Sequence, residues 1–204
     1  VCSSDLYRQP ITVEDVLQSR TIASPLKLLD CCPISDGAVA LLVSAKHPGR
    51  PTVRLRGAGQ GHRHQHLSAM RAAEDFGARE SLARALQQAG CDLSDVDYLG
   101  IYDSFTITLA ILLEDLGLVP RGQSAKLARS GYFSAEGDMP LNTHGGLLSF
   151  GHSGIAGGMA HIAECYQQLS QSAGERQIAA RQLALVHADG GVLSAHVSLL
   201  IEAC

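Results

Sequence analysis

The sequence predicts a layered α/β fold, in which helices cover the faces of a mixed β-sheet. Apolar strand-like segments alternate with amphipathic helix-like segments along the 204 residues, which is the pattern of such folds. The last two strand-like segments are separated only by a turn at Gly190 and Gly191, so they form an antiparallel pair. Apolar residues make up 46% and charged residues 18% of the chain, a globular composition at a length that allows one large core.

The first part of the chain contains three features that bear on the fold. Residues 11–20, ITVEDVLQSR, are compatible with a short helix. The uninterrupted apolar run at 38–45 is typical of a strand or helix that is buried on both sides. The segment HPGRP at 47–51 combines two prolines with a glycine and is the strongest internal boundary. We therefore divide the chain into domains 1–50 and 51–204.

The second part contains the alternating elements. Gly90 is the predicted C-cap of its first helix, and Gly117 followed by Pro120 ends the second. Residues 121–141 are polar and irregular. The predicted elements are, in chain order, a strand at 52–59, a helix at 66–90, a strand at 95–105, helices at 106–118 and 155–171, and strands at 182–191 and 192–203.

Charge and composition exclude several classes of protein. The formal net charge is −4 and the arginines are scattered, so a nucleic-acid-binding surface is not predicted. No apolar run reaches the roughly 18 residues of a membrane span, and no secretory signal is visible. The six cysteines form no CxxC pair, which favours reduced thiols in a cytoplasmic protein. The chain begins with Val1, and VCSSDL connects poorly to the residues after it, so we expect a fragment whose beginning is missing.

Residues 142–161, NTHGGLLSFGHSGIAGGMAH, hold six glycines, three histidines and no Lys, Arg, Asp or Glu. A glycine lowers helix or strand stability by about 0.5–1 kcal/mol relative to alanine, so this cluster indicates a close approach of the backbone to a ligand or to another segment. His152 stands between Gly151 and Ser153, with little side-chain bulk around it. It is a candidate general base or oxyanion donor. The alternative is a tight turn with a structural histidine.

A second candidate site is YDSF at 102–105, which ends a predicted strand just before a helix. Ligands of open α/β folds usually bind at such strand ends. Tyr102, Asp103 and Ser104 would supply a proton donor, an acceptor and a hydroxyl. The simpler interpretation is that Asp103 or Ser104 caps the next helix.

Histidines and cysteines elsewhere have simpler explanations. In GHRHQH, His62, His64 and His66 would share one face of an extended segment, as metal ligands can. A solvated or substrate-lining loop is the favoured interpretation, and no metal site is predicted. The adjacent Cys31 and Cys32 are interpreted as buried, inert thiols.

HADGG at 187–191 places a histidine and a carboxylate at the closing turn. Asp-Gly is a common turn dipeptide. Asp189 therefore needs no catalytic role to explain it.

Taken in order, these motifs resemble the C-terminal half of a thiolase. NTHGGLLSFGHSGIAGG is similar to the thiolase N-x-x-GG…GHP-x-G-x-x-G element, and YDSF stands where sterol-carrier-type thiolases carry His-Asp-Cys-Phe. SDGAVALLVSA resembles the strand that ends the N-terminal half, and HADGGVLSAHVSLL resembles the terminal glycine-rich hairpin. The resemblance covers nearly all of residues 30–204. Lipid-transfer-protein-like thiolases, often labelled acetyl-CoA acetyltransferases, similarly carry Tyr-Asp-Ser-Phe.

The resemblance implies a thiolase-like αβαβα fold with mixed five-stranded sheets, present here mainly as its C-terminal half. Residues 1–50 would then be the truncated end of the N-terminal domain, comprising a loop region and its last strand, and 51–204 the C-terminal domain. A sheet edge and a helix layer would be exposed if nothing replaced the rest. The nucleophilic cysteine of the family would lie upstream of this chain.

The resemblance also implies roles for individual residues. His152 would activate the nucleophile or stabilise an oxyanion, Tyr102 would transfer a proton, and Asp103 would orient these groups. Substrate contacts would come from Ser104 and Asn142 and from the glycine loops, which comprise Gly145, Gly146, Gly151, Gly190 and Gly191. No cofactor is implied as bound, because coenzyme A enters as part of substrate and product.

Three departures from the family pattern bear on the reaction. Ser153 replaces the proline of GHP, Tyr102 replaces a histidine, and neither place for the second family cysteine holds one, since Ser104 stands in YDSF and HADGG contains none. A serine hydroxyl is far less acidic than a thiol and is a poor substitute as a proton shuttle.

The resulting expectation is an acyl-CoA C-acyltransferase of lipid or sterol side-chain degradation, with the fragment alone inactive. One alternative is a retro-aldol lyase that acts on a steroid-type acyl-CoA together with an OB-fold partner. Another is a protein that binds lipid or acyl-CoA without turnover. The full-length protein is expected to form a homo-oligomer.

Overall fold

A computed structural model of the chain describes residues 6–45, 53–70 and 76–204. Its helices are α1 (Val13–Gln18), α2 (Ala78–Ala89), α3 (Thr106–Asp115), α4 (Ser124–Arg129), α5 (Gly146–Phe150) and α6 (Ala156–Leu169). Its strands are β1 (Thr21–Ala23), β2 (Leu26–Lys27), β3 (Val53–His62), β4 (Tyr98–Ile101), β5 (Leu183–Gly190) and β6 (Ala195–Ala203). Short 3-10 helices lie at Leu28–Asp30, Leu67–Ala69, Leu93–Asp95 and Gly174–Arg176.

The main sheet is mixed and has the strand order β3-β6-β5-β4. The closing hairpin β5–β6 is antiparallel, as is β3–β6, whereas β4 and β5 run parallel. Side chains alternate between the two faces. Leu185 packs into a core with α2 and α3, and its neighbours Ala184 and Val186 pack with Cys165 of α6. The predicted layered α/β fold is therefore confirmed, with helices on both faces of the sheet.

The resemblance implied a fifth strand, and in the described chain that place is taken by a single bridge. Beyond β4, Leu99 pairs with Leu141. The Leu99 amide donates to the Pro140 carbonyl at 2.9 Å, and the Asn142 amide donates to the Leu99 carbonyl at 2.9 Å. Asn142 then adopts a φ of 48°, which ends the extended conformation. The segment therefore lies along β4 for too few residues to count as a strand.

Glycines in β3 set the distance between the sheet and α2. A Cβ built at Gly59 would lie 2.7 Å from the backbone nitrogen of Ala85, and it would overlap the carbonyl oxygen of Ser81. Only a residue without a side chain allows the helix backbone this close to the strand. The pattern of TVRLRGAG predicts a strand that ends in these glycines, but β3 continues through them to His62.

The apolar run at 38–45 is the clearest wrong prediction. These residues form no helix or strand, and most of them are exposed, with Leu42 97% and Val43 85% accessible. A strand is stabilised by hydrogen bonds to a neighbour. Within the described ranges, no strand ladder includes this segment, so it does not form a strand.

Other element boundaries also differ from the predicted ones. The short helix predicted within 11–20 is confirmed as α1, where Thr12 and Asp15 form a capping box. The helix predicted over 66–90 begins only at Ala78, although Gly90 does cap it in the left-handed conformation. The irregular segment 121–141 contains α4. The predicted boundary at 47–51 lies outside the described residues. No helix in the described ranges is both long and apolar enough to cross a membrane.

Candidate active site

The site is built where the parallel strands β4 and β5 end. Ile101 is the last residue of β4 and is paired with His187. The backbone amide of Tyr102 donates to the carbonyl of His187 at 2.9 Å, which extends the ladder by one bond. YDSF therefore follows the carboxyl end of β4, as the sequence pattern predicts.

Asn142 holds the end of β4 in place. Its Oδ1 accepts from the Ile101 amide at 2.9 Å, and its Nδ2 donates to the Ile101 carbonyl at 2.8 Å. The side chain thus imitates a neighbouring strand, which the sequence did not reveal. Both polar atoms of the amide that was expected to contact substrate are engaged by the backbone.

Asp103 caps a helix, although a different one from that expected. The N-cap of α3 is Phe105, without a side-chain bond. The buried carboxylate of Asp103 instead accepts from the amides of Leu147 at 2.7 Å and Leu148 at 3.3 Å, in the first turn of α5. The partial positive charge of those amides stabilises the carboxylate. Asp103 therefore anchors the glycine-rich segment to the end of β4.

Gly146 is required by this anchor. Its φ is +64°, and a Cβ there would lie 2.7 Å from Cγ of Asp103. Gly145, with a φ of 102°, precedes it as the N-cap of α5. These two glycines therefore allow a helix end to contact a carboxylate; no bound ligand is needed to explain them.

The backbone of His152 is fixed by the segment 33–35, a connection that nothing in the sequence pattern indicates. The His152 amide donates to the Pro33 carbonyl at 2.9 Å, and the Ser35 amide donates to the His152 carbonyl at 3.0 Å. Gly151 permits this contact, because a Cβ there would lie 2.5 Å from Oγ of Ser35. The first part of the chain thus positions the imidazole.

Tyr102 and His152 meet directly, although 50 residues separate them. The phenol Oη lies 2.5 Å from Nε2 of His152. The Gly154 amide donates to Nδ1 at 3.2 Å, so Nδ1 carries no proton in the neutral ring. The proton then lies on Nε2, and His152 donates to the phenol oxygen.

The surroundings of Tyr102 keep it protonated. Burial, together with the nearby charge of Asp189 and smaller effects of Cys32 and Asp103, raises the pKa of Tyr102 to about 12. The phenol is therefore neutral at physiological pH and keeps its own proton.

The first turn of α6 leaves space beside this pair. A Cβ at Gly157 would lie 3.6 Å from Cδ2 of His152, and one at Gly158 would lie 4.0 Å from Cδ2 of Tyr102 and 3.5 Å from Cβ of Ala188. The glycines therefore keep side-chain bulk away from Tyr102 and His152.

Asp189 has a raised pKa, which its role as a turn residue does not explain. No described residue hydrogen-bonds its buried Oδ1, and burial raises its pKa to about 6. Gly190 and Gly191 come next in the hairpin turn, Gly191 with a φ of +68°. Since Asp189 is the largest nearby charge acting on Tyr102, the hairpin contributes to the electrostatics of the site.

We expect Asp189→Asn to change the pH dependence of stability. The folded-state pKa of about 6 lies above the ordinary value of 3.8, so the folded protein binds more protons between these values. The stabilisation is fully present below pH 4 and is lost as the pH rises to about 6. The variant should remove this fall, worth up to about 3 kcal/mol in the free energy of unfolding. Urea titrations at pH 4, 5, 6 and 7 measure it, and parallel profiles for both proteins would contradict it.

The remaining candidates are the histidines of GHRHQH, the adjacent cysteines and Ser104. His62 and His66 are exposed, whereas His64 is buried, so the three do not share one accessible face. Across the described ranges, no group of three or more His, Cys, Asp or Glu residues is arranged to hold a metal ion. Cys31 and Cys32 are free thiols whose pKa values are raised by burial, which lowers their reactivity. The Ser104 carbonyl accepts from the Cys32 amide at 3.0 Å.

Comparisons with known proteins agree with this architecture. Residues 59–203 match the family described as thiolase C-terminal domain-like. The chain is 34% identical over 190 residues to the acetyl-CoA acetyltransferase of Methanothermobacter thermautotrophicus, covering 91% of this chain and 50% of that protein. It is 36% identical over 172 residues to the 17-hydroxy-3-oxo-4-pregnene-20-carboxyl-CoA lyase of Mycobacterium tuberculosis, covering 80% and 44%.

A solved structure titled Ltp2-ChsH2(DUF35) aldolase superposes with a TM-score of 0.80 at 29% identity, covering 97% of this chain and 52% of that one. The chain therefore spans about half the length of these relatives. The matched family, together with the fold and the ordered motifs, shows that this chain belongs to the thiolase superfamily and corresponds to its C-terminal half.

Proposed function

We propose that this chain provides the electrophilic half of an active site that makes or breaks a carbon–carbon bond next to a coenzyme A thioester. The observation that carries the proposal is the 2.5 Å contact between Oη of Tyr102 and Nε2 of His152. In such reactions, negative charge develops on the thioester oxygen as an enolate or a tetrahedral oxyanion. Preorganised hydrogen-bond donors stabilise this charge strongly.

Tyr102 would be the donor and His152 its support. Because Nε2–H of His152 points at the phenol oxygen, the phenol's own proton points elsewhere, towards the substrate. When that proton moves to the substrate, the phenolate keeps the hydrogen bond from His152, which stabilises it. Asp103 would act through the backbone, since it holds the glycine-rich segment that carries His152.

We favour retro-aldol cleavage of a β-hydroxyacyl thioester. The bond between Cα and the carbinol carbon breaks, its electron pair forms the thioester enolate, the hydroxyl proton leaves to a base, and a carbonyl product is released. The enolate then takes up a proton, and no free coenzyme A is consumed. Ala188 lies beside Gly158 and Tyr102 at the end of β5, so the second thiol of the acyltransferase reaction has no equivalent there.

Acyl transfer is the second candidate. The 34% identity to an acetyl-CoA acetyltransferase supports it. The nucleophilic cysteine would then be supplied outside the present sequence. A role in binding acyl-CoA or lipid without turnover is the remaining possibility.

A partner protein forms part of the proposal. The structural relative with a TM-score of 0.80 is named Ltp2-ChsH2(DUF35) aldolase, which supports a partner protein for this chain as well. An OB fold for that partner is what the resemblance to lipid-transfer-type thiolases implies. The steroid-type lyase among the relatives supports a bulky acyl group on the substrate.

Product analysis of the full-length native protein, isolated with any partner that co-purifies, tests the reaction. We expect a steroid-type 3-hydroxyacyl-CoA to yield a ketone and a shortened acyl-CoA in the absence of free coenzyme A. A 3-oxoacyl-CoA cleaved only when free coenzyme A is added would establish acyl transfer and overturn the retro-aldol proposal. Saturable binding of both thioesters with no turnover would establish the binding role.

A further inference from the structure

The face of the sheet that packs against α2 contains two fully buried histidines that the proposed reaction does not use. His187 lies on β5 and His196 on β6, and both are 0% exposed. Their rings are stacked, with centroids 5.4 Å apart and planes at 24°. A buried imidazole needs hydrogen-bond partners, and these two have them on every nitrogen.

The two rings belong to a hydrogen-bond chain of five contacts that crosses from α2 to the hairpin turn. The chain begins and ends at a backbone carbonyl. Its contacts are, in order, Ala78 O to Ser81 Oγ at 2.7 Å, Ser81 Oγ to Ser198 Oγ at 2.8 Å, Ser198 Oγ to His187 Nδ1 at 2.8 Å, His187 Nε2 to His196 Nδ1 at 3.2 Å, and His196 Nε2 to Leu193 O at 3.1 Å.

The hydrogen-bond chain lacks one proton when both imidazoles are neutral. Each contact needs one hydrogen, and the carbonyls of Ala78 and Leu193 can only accept. Two serine hydroxyls and two neutral imidazoles supply four hydrogens for five contacts. One contact must therefore lack its proton, whichever tautomers the rings adopt.

We propose that the His187–His196 pair is a proton-binding element. One added proton completes the hydrogen-bond chain between α2 and the β5–β6 hairpin. With a fifth hydrogen, both nitrogens of His196 donate, Nδ1 of His187 donates to Ser198, and the serines donate in turn towards Ala78. The Leu193 carbonyl is then held by a charged donor, and a charge-assisted hydrogen bond is stronger than a neutral one. Leu193 has a φ of +52°, so the proton stabilises a turn with an uncommon backbone conformation.

The groups that face the pair act in both directions. The backbone carbonyl of Leu193, the charge of Asp115 on α3 and the backbone carbonyl of Phe76 favour the protonated form of His196. His64, just after β3, disfavours it. Asp189 is the cross-strand partner of His196 and lies on the same face of the sheet. Burial opposes protonation, lowering the pKa of His187 to about 3 and lowering that of His196 as well. The pair therefore takes up a proton as the pH falls. Its proton affinity is higher than it would be if the added proton formed no new hydrogen bond.

Ser81→Ala tests this proton count, because it removes two of the five contacts but only one of the four hydrogens. The remaining three contacts are satisfied by three hydrogens in the neutral state, so an added proton gains no hydrogen bond. We expect the proton affinity of the pair to be at least about tenfold weaker in this variant, since a hydrogen bond to a charged group is lost from the protonated form. Imidazole ¹⁵N chemical shifts of both rings, followed by NMR over the acidic pH range, measure this directly and need no enzyme activity.

A matched control and a second variant keep the test decisive. Ser130→Ala removes the same type of bond, from a serine to the carbonyl three residues earlier (2.9 Å, to Leu127), but it lies outside the chain and should leave the titration unchanged. Ser198→Ala also leaves three contacts and three hydrogens, so it should weaken proton binding too and replaces Ser81→Ala if that variant does not fold. Titration of the pair at the wild-type pH or higher in either folded variant would overturn the proposal. This inference is independent of the proposed reaction.

Discussion

Replacing Tyr102 with phenylalanine should lower kcat by at least about a hundredfold, because the donor to the thioester oxygen is lost while the ring that fills the space remains. The effect should appear in kcat rather than in KM, since the hydrogen bond strengthens as negative charge develops on the substrate. Steady-state kinetics of the full-length protein measure it. Tyr166→Phe is the matched control, as Tyr166 is exposed on α6 and should tolerate the change.

The partner of Tyr102 can be tested in the same assay. His152→Ala should also cost at least about a hundredfold in rate. Because the two side chains are in contact at 2.5 Å, they should act as a unit, and the double variant should be little worse than either single one. Unchanged turnover in the His152 variant would end its assignment to the site. Fully additive losses would mean that the two groups act separately.

Gly146→Ala should destabilise the protein by about 2–4 kcal/mol, the second large effect that the structure predicts. The new Cβ would meet the Asp103 carboxylate, which cannot move without breaking its hydrogen bonds to Leu147 and Leu148. The left-handed φ of +64° adds a smaller cost of its own. Denaturant unfolding measures the loss of stability. Activity should fall as well, because the same segment positions His152.

Gly174→Ala separates the steric effect from the conformational one. Gly174 has a φ of +61°, and nothing lies within 4 Å of a Cβ placed there. That variant carries the backbone cost alone, about 1 kcal/mol. If Gly146→Ala cost no more than Gly174→Ala, the contact between Asp103 and α5 would not be the anchor that the geometry indicates.

Much of the fold could be predicted from local patterns. The closing hairpin was indicated by two apolar segments around a glycine turn, and α3 ended where Gly117 and Pro120 indicated. The boundaries of such elements depend on propensity and periodicity, which neighbouring residues determine. The same reasoning failed at 38–45, because an apolar run becomes a strand only when another segment pairs with it.

The sequence by itself determined which residues of the candidate site were chemically notable: the ordered motifs singled out Tyr102, Asp103 and His152. Only the tertiary structure decided how they are used. It joined Tyr102 to His152 across 50 residues, directed Asp103 to α5 instead of α3, and engaged the Asn142 amide with Ile101. It also buried His187 beside His196, where four hydrogens must serve five contacts in the neutral state. The physical reason is that a hydrogen bond depends on distance and direction in space, and spacing along the chain specifies neither for residues that lie far apart in sequence.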